Sequence, residues 1–269
     1  MTDLMAVSPF LAVYLTVLAA LLGAVLASFG GCVASRLVAG ESFLKGRSHC
    51  TSCGHTLSVL DLFPVFSWLF LKGKCRYCGA SVPALYPVTE AMGGAMFAAL
   101  LWRYGISLQT LEYCIFAILL LILSLVDWDS GILPDSVMLI GAVNFVLFTL
   151  LRGEGLSGLL HGALSGLTVS IPLLILVLVM DRVLGRESMG GGDIKLFFVA
   201  GLYFSLLQLL VVVILACVLG IVLSLLTGKT TGDEENPKAF PFGPAIALAT
   251  CASLLWAQPI LNWYLGLFA

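Results

Sequence analysis

The sequence predicts an all-α polytopic membrane protein of about eight transmembrane helices, with a small cysteine-bearing domain between the first two. Three observations predict it. Of 269 residues, 60% are hydrophobic and only 10% charged, against about 25% charged in globular domains; so few charges cannot cover a water-soluble surface. Several windows reach the ~20 apolar residues that cross a bilayer, without the alternation of a membrane β-barrel. One sizeable polar stretch, residues 39–86, interrupts them and carries two Cys-x-x-Cys pairs. The lipid bilayer is therefore an expected partner. The net charge of −2 gives no footprint for nucleic acid, and none is expected as a partner.

Taken in order, span 1 covers residues 9–37 and ends near Arg36. It is too long, and lacks the basic start, for a cleaved signal peptide. Span 2 runs from about Pro87 to Leu101, and Arg103-Tyr104-Gly105 makes a turn. Span 3, from about Leu108 to Val126, ends at Asp127-Trp128-Asp129-Ser130-Gly131. Pro134 suits the first turn of span 4, which stops near Arg152-Gly153. Span 5 covers about 156–180 and stops at Asp181-Arg182. The apolar run Ile194 to Leu226 is too long for one span, so a turn within Gly201–Gln208 yields a short span 6 and a full span 7. Span 8 starts near Phe242, after a charged loop.

Eight spans put both termini on one side, and basic residues mark the cytoplasmic face. With residues 39–86 inside, Arg36, Lys45, Arg47, Lys72, Lys74, Arg76, Arg182, Arg186, Lys195, Lys229 and Lys238 lie inside, against Arg103 and Arg152 outside. Both termini are then outside.

Asp127 and Asp193 are separated by two crossings, so the chain returns them to the same, cytoplasmic border. Span 6, at about 12 residues, rises only roughly 18 Å in a core of about 30 Å, which sets Asp193 below the surface, where ionisable groups are costly and functional. Two carboxyls held close share one proton; one member then takes a proton from water while the other donates one. Gly190 and Gly192 free the backbone for a sharp turn and for substrate approach. Lys195 is placed to tune Asp193, to steady substrate, or merely to mark the cytoplasmic face. Asp127, Asp129 and Asp135 are also readable as solvated loop residues or helix caps. His161, among Gly162, Ser165 and Gly166, reads as a hydrogen-bonded packing residue. Arg36 and Glu90 are a possible pair across the border. Pro241-Phe-Gly-Pro244 reads equally as the rim of an active site or as a helix start.

Cys50-x-x-Cys53, a gap of 21 residues and Cys75-x-x-Cys78 approximate the spacing of a four-thiolate structural zinc site. Gly54 and Gly79 follow each pair, as tight metal-binding turns require. A reducing cytoplasm disfavours disulfides. His49 and His55 are then incidental, because four thiolates complete a tetrahedron.

These pieces occur together as Ser28-Phe29 with Arg36, the two cysteine pairs around Asp61-Leu-Phe-Pro-Val-Phe-Ser-Trp-Leu69, and Tyr86-Pro87-Val88-Thr89-Glu90. Asp127-Trp-Asp-Ser-Gly-Ile-Leu-Pro-Asp135, Glu187-Ser-Met-Gly-Gly-Gly-Asp-Ile-Lys-Leu196 and Pro241-Phe-Gly-Pro244 follow in order. Over nearly the whole chain they resemble the bacterial type IV prepilin peptidases, membrane aspartic proteases with a Gly-x-Gly-Asp motif. The resemblance implies that Asp127 and Asp193 are catalytic and that the protein sits in the bacterial cytoplasmic (inner) membrane. It implies cleavage of the basic leader of prepilins or pseudopilins after a glycine, followed by N-methylation from S-adenosylmethionine. Residues 1–38 are then the first span, 39–86 the cytoplasmic zinc-binding segment associated with methyl transfer, and 87–269 a seven-span peptidase domain. The chain departs from the pattern at Gly31, where similar proteins carry Asn. No glycine-rich nucleotide motif lies on a strand, so the S-adenosylmethionine site has no assigned residues. Two readings of other classes compete: a proton- or cation-coupled transporter using Asp127 and Asp193, and a non-catalytic pilin-assembly protein.

Overall fold

The computed structural model describes residues 8–42, 46–185, 188–228 and 240–267. Among them the chain is helical, with two isolated β-bridges as its extended pairing. The helices are α1 (Pro9–Val38), α2 (Phe66–Phe70), α3 (Leu85–Tyr104), α4 (Leu108–Ser130), α5 (Asp135–Leu151), α6 (Gly155–Leu184), α7 (Gly191–Leu202), α8 (Leu206–Thr227) and α9 (Gly243–Leu265). One helix stands at each expected span. Five, namely α1, α4, α6, α8 and α9, are long and apolar enough to cross a membrane, and α5 is apolar but shorter. This is a helical membrane protein. Lys45, Arg186, Lys229 and Lys238, counted above as cytoplasmic, lie outside the described residues, as do Glu187 and both chain ends.

Several boundaries move for local reasons. Helix α3 starts two residues before Pro87, because a proline in the first turn gives up an N–H that has no partner there anyway. It stops at Gly105, whose φ of 67° turns the chain away. Pro134 stands just outside α5 rather than in its first turn. The turn between α7 and α8 falls at Tyr203–Ser205, inside the expected window. There the Ser205 N–H donates to the Gln208 side chain at 3.0 Å, capping α8.

The chain divides into two units, residues 1–122 and 123–269, with the break inside α4. In the first, α1 packs along α3 through small residues. A Cβ on Gly93 would stand 2.5 Å from that of Ala27, and one on Gly94 would stand 2.8 Å from the Ala20 carbonyl oxygen. Such contacts let two backbones approach where lipid supplies no hydrophobic drive. The 46–84 segment joins these helices as two loops with a 3₁₀ turn at Val59–Leu62 and the short α2 between them.

In the second unit, α7 is the pivot. Eight of its twelve residues are buried, from Asp193 to Leu202. Its 12 residues rise roughly 18 Å, and protein rather than lipid surrounds it, so it need not match the bilayer. Gly166 and Gly201 bring α6 and α7 into backbone contact: a Cβ on Gly201 would sit 2.5 Å from the Gly166 Cα. His161 is exposed on α6; the expectation of a packed histidine fails because the seam is made by Gly162, Ser165 and Gly166 on another face. On the α5 side, the buried Tyr203 hydroxyl donates to the Gly141 carbonyl at 2.7 Å and accepts from Asn144 at 2.9 Å.

Candidate active site and metal centre

Asp127 lies one turn before the end of α4, and Asp193 is the third residue of α7. Both are buried, at 4% and 9% exposure. Their carboxyl groups are close enough to interact electrostatically. The Gly243 N–H, at the start of α9, donates to Asp127 Oδ2 at 2.8 Å. A helix N-terminus directs unpaired N–H groups and positive potential outward, so it orients this carboxylate. The fit is close: a Cβ on Gly243 would lie 2.7 Å from Asp127 Oδ2. Phe242 sets that approach. Its ring lies over Gly220, where a Cβ would meet it at 2.5 Å, and 6.3 Å from the Phe197 ring of α7. Gly243 was singled out only as part of Pro241-Phe-Gly-Pro244. The short helix-starting motif was the signal, but no spacing rule tells which carboxylate it reaches.

The glycine run serves differently from the turn expected of it. Gly190 has φ −64° and ψ 138°, open to any residue, and neither Gly190 nor Gly192 has positive φ. Closeness is the constraint instead. A Cβ on Gly192 would meet Leu133 Cβ at 3.0 Å, and one on Gly190 would stand 3.5 Å from Asp193 Oδ2. Lys195 is directed elsewhere than Asp193. Its Nζ holds Asp135 at 2.8 and 3.0 Å, tying the start of α5 to α7. Both partners are solvent-exposed, so the pair contributes orientation more than stability. Arg36 and Glu90 also have other partners. Arg36 donates to the carbonyls of Ser42 and Gly46, and Glu90 Oε2 accepts the Val65 N–H at 2.7 Å.

The four cysteines converge. The Sγ atoms of Cys50, Cys53, Cys75 and Cys78 all lie within 4.8 Å of one another, with Cys50 and Cys78 at 3.9 Å. Tetrahedral zinc with Zn–S of about 2.3 Å sets sulfurs roughly 3.8 Å apart, so the donor set fits. Each pair sits in the same loop. Cys50 N–H donates to His55 O at 2.9 Å and Gly54 N–H to Cys50 O at 2.8 Å; Cys75 N–H to Ala80 O at 2.8 Å and Gly79 N–H to Cys75 O at 3.0 Å repeat them. Gly54 and Gly79 have φ of 69° and 73°, the left-handed conformation a side chain disfavours. The Cys53 and Ser52 amides aimed at the Cys50 sulfur bring its thiol down to about 6. The Ala80 amide pulls Cys78 down, but desolvation and the neighbouring sulfurs push it up to about 11. Four thiolates therefore need a cation between them.

Asp61 binds the segment together. It accepts from Ser58 N–H at 3.0 Å, Ser58 Oγ at 2.7 Å, Tyr77 OH at 3.0 Å and Arg76 Nε at 2.6 Å. Burial pushes its carboxyl up, but these donors and the Arg76 charge outweigh it and hold the group at about 2.

A helical membrane protein with two buried, interacting carboxyls and a four-thiolate cluster is the class that fold and site define. Residues 21–104 match the bacterial peptidase A24 N-terminal domain, and residues 114–225 match the type IV leader peptidase family. A prepilin leader peptidase/N-methyltransferase of Aeromonas hydrophila is 33% identical over 223 residues, 82% of this chain and 76% of that protein. Proteins of the same description from Bacillus subtilis (29% over 245 residues, 90% and 95%) and Myxococcus xanthus (31% over 242 residues, 88% and 70%) are also similar. No solved structure matches. The chain belongs to the type IV leader peptidase family.

Proposed function

We propose that the protein is a membrane aspartic endopeptidase that removes the basic leader of type IV prepilins or pseudopilins after a glycine, and then N-methylates the new N-terminus. The observation that carries the peptidase reading is the buried Asp127–Asp193 pair with Asp127 held by the Gly243 N–H. Such a pair shares one proton. The ionised member takes a proton from water, whose oxygen attacks the scissile carbonyl carbon. The neutral member gives its proton to the carbonyl oxygen. Collapse of the tetrahedral diol breaks the C–N bond as the amine gains a proton from the pair. We assign Gly190, beside Asp193 Oδ2, and Gly192, packed on Leu133, to the active-site loop that the substrate strand approaches, and Lys195 fixes α7 through Asp135.

The methyl-transfer step rests on the descriptions of the relatives, with S-adenosylmethionine as donor. Zinc is the metal we assign to the cysteine cluster, on its donor set and spacing. We assign residues 1–38 to the first span, 39–86 to the zinc-held segment and 87–269 to the peptidase. The charge bias favours the cytoplasmic side of the bacterial inner membrane for cysteines and aspartates, and the outside for both termini.

Co-expression with a prepilin tests the reading. Wild type is expected to shift the prepilin to its mature mobility, with Asp127→Asn and Asp193→Asn leaving it uncut. Full processing by either variant sinks the assignment. The mass of the mature N-terminus reports methylation in the same sample.

A further inference from the structure

Residues 59–70, which hold the 3₁₀ turn and α2, are built inside out. Asp61 turns inward: its side chain is 4% exposed, among its Ser58, Tyr77 and Arg76 partners. Trp68 turns inward too, its indole N–H donating to the Val82 carbonyl at 3.0 Å. The apolar side chains face out instead. Val59, Leu60 and Phe70 are 81%, 70% and 82% exposed, and Phe63, Phe66 and Leu69 are half-exposed. Side chains of this kind gain most from leaving water, and contiguous apolar patches mark interaction sites. A shortage of polar residues is not the reason, since residues 47–56 of the same segment carry no large apolar side chain.

The place of this face in the fold points to lipid as its occupant. Glu90 Oε2 accepts the Val65 N–H at 2.7 Å, pinning the start of α2 to α3. On α3, to either side of Glu90, Val88 and Met92 are apolar and exposed. Gly93 packs on Ala27 of α1, so the pinned contact stands alongside α1 and not beyond its end at Val38. The 30 residues of α1 rise roughly 45 Å against a hydrocarbon core of about 30 Å. Helix α1 therefore runs on through the headgroup layer, and α2 is held at that level. Val65 at φ 62° and Lys72 at φ 52° bracket α2, a conformation that side chains take only when their surroundings impose it. Past the second bend, Lys72 and Lys74 are exposed. A cationic edge beside aromatic and aliphatic side chains matches an anionic lipid surface.

We propose that the outward face of residues 59–70 docks on the bilayer that α1 and α3 enter. Its apolar side chains reach the boundary between headgroups and acyl chains, and Lys72 and Lys74 meet anionic headgroups. The cysteine loops are then carried by this face as well as by the ends of α1 and α3. The inference is independent of cleavage and of methyl transfer.

The test places the photoreactive analogue benzoylphenylalanine at Phe70 of the full chain, in the membranes of intact cells, and identifies what it captures by mass. Leu18, exposed within the long apolar α1, sets the yield for lipid contact, and Ser52, exposed in the first cysteine loop, sets the yield for water. A phospholipid adduct at Phe70, as at Leu18, is expected. Capture of a second copy or of another protein gives the face a protein partner and overturns the proposal. So does a lipid yield no higher than at Ser52. Bound metal per chain reports that the segment is intact; if the analogue at Phe70 releases the metal, Leu60 is read in its place. In nanodiscs of phosphatidylcholine with phosphatidylglycerol, Lys72→Glu with Lys74→Glu is expected to lower the adduct, since each lysine at an anionic surface is worth about fivefold. An unchanged yield in those discs overturns the headgroup contact.

Discussion

Asp127 depends on a backbone atom, and that makes neighbouring glycines unequal. Gly243→Ala puts a methyl 2.7 Å from Asp127 Oδ2, and if Asp127 acts as proposed, a shift of about 1 Å there costs about 100-fold in rate. Cleavage by this variant is expected to fall by at least that factor at near-normal abundance, measured as initial rate on purified prepilin. Gly191→Ala meets nothing within 4 Å, so its rate is expected to stay near wild type in the same assay. Gly31, buried in α1 with open space at its Cβ position, gives the opposite sign for stability. Gly31→Ala should stabilise by about 0.5–1 kcal/mol, read as a rise in Tm. That the two aspartates lie near each other was legible from the parity of the crossings together with the family pattern. The amide that grips one of them was not, because a hydrogen bond between residues 116 positions apart leaves no periodic trace.

Among the elements, the cysteine loops were the most legible, since thiolate spacing and a following glycine are local demands. What spacing did not reveal is the repeat behind them. The Leu57 N–H donates to Ser48 O and the Val82 N–H to Gly73 O, each at 2.8 Å, closing two equivalent loops. Neither loop has a core of its own, so chelation of the metal is expected to melt residues 46–84 while the long helices persist. Loss of hydrogen-exchange protection confined to that segment is the readout. Asp61 adds a pH dependence. Its folded value of about 2 lies below the ordinary 3.8, so its contribution is full above about pH 4 and is lost as the pH falls through about 2. The Tm difference between wild type and Asp61→Asn should therefore be constant near neutrality and close in strong acid. Helix α7 was legible as short, but not as encased. Its glycine seam with α6 accounts for the encasement, and that seam pairs residues 35 positions apart, Gly166 and Gly201.

For the molecule as a whole, hydropathy and turn residues located, within a few residues, the eight helices that stand at the expected spans among the described residues. Periodicity along single helices did not reveal which ones pack together, because in a membrane the choice is made by small residues rather than by polarity. The orientation carries its own check. A cysteine introduced at Ser188 should react only with a membrane-permeant reagent in intact cells, and one at Arg152 with an impermeant one; the reverse pattern refutes the charge-based sidedness. A chain ending at Pro241 keeps both aspartates yet lacks the Gly243 donor, and should accumulate in the membrane without cleaving prepilin. That last helix also imposes an order in time. The ribosome makes Asp127, then Asp193, and delivers the N–H that orients Asp127 only with α9. On the proposed mechanism, a chain made only as far as α8 carries both carboxyl groups without the amide that aligns the first of them.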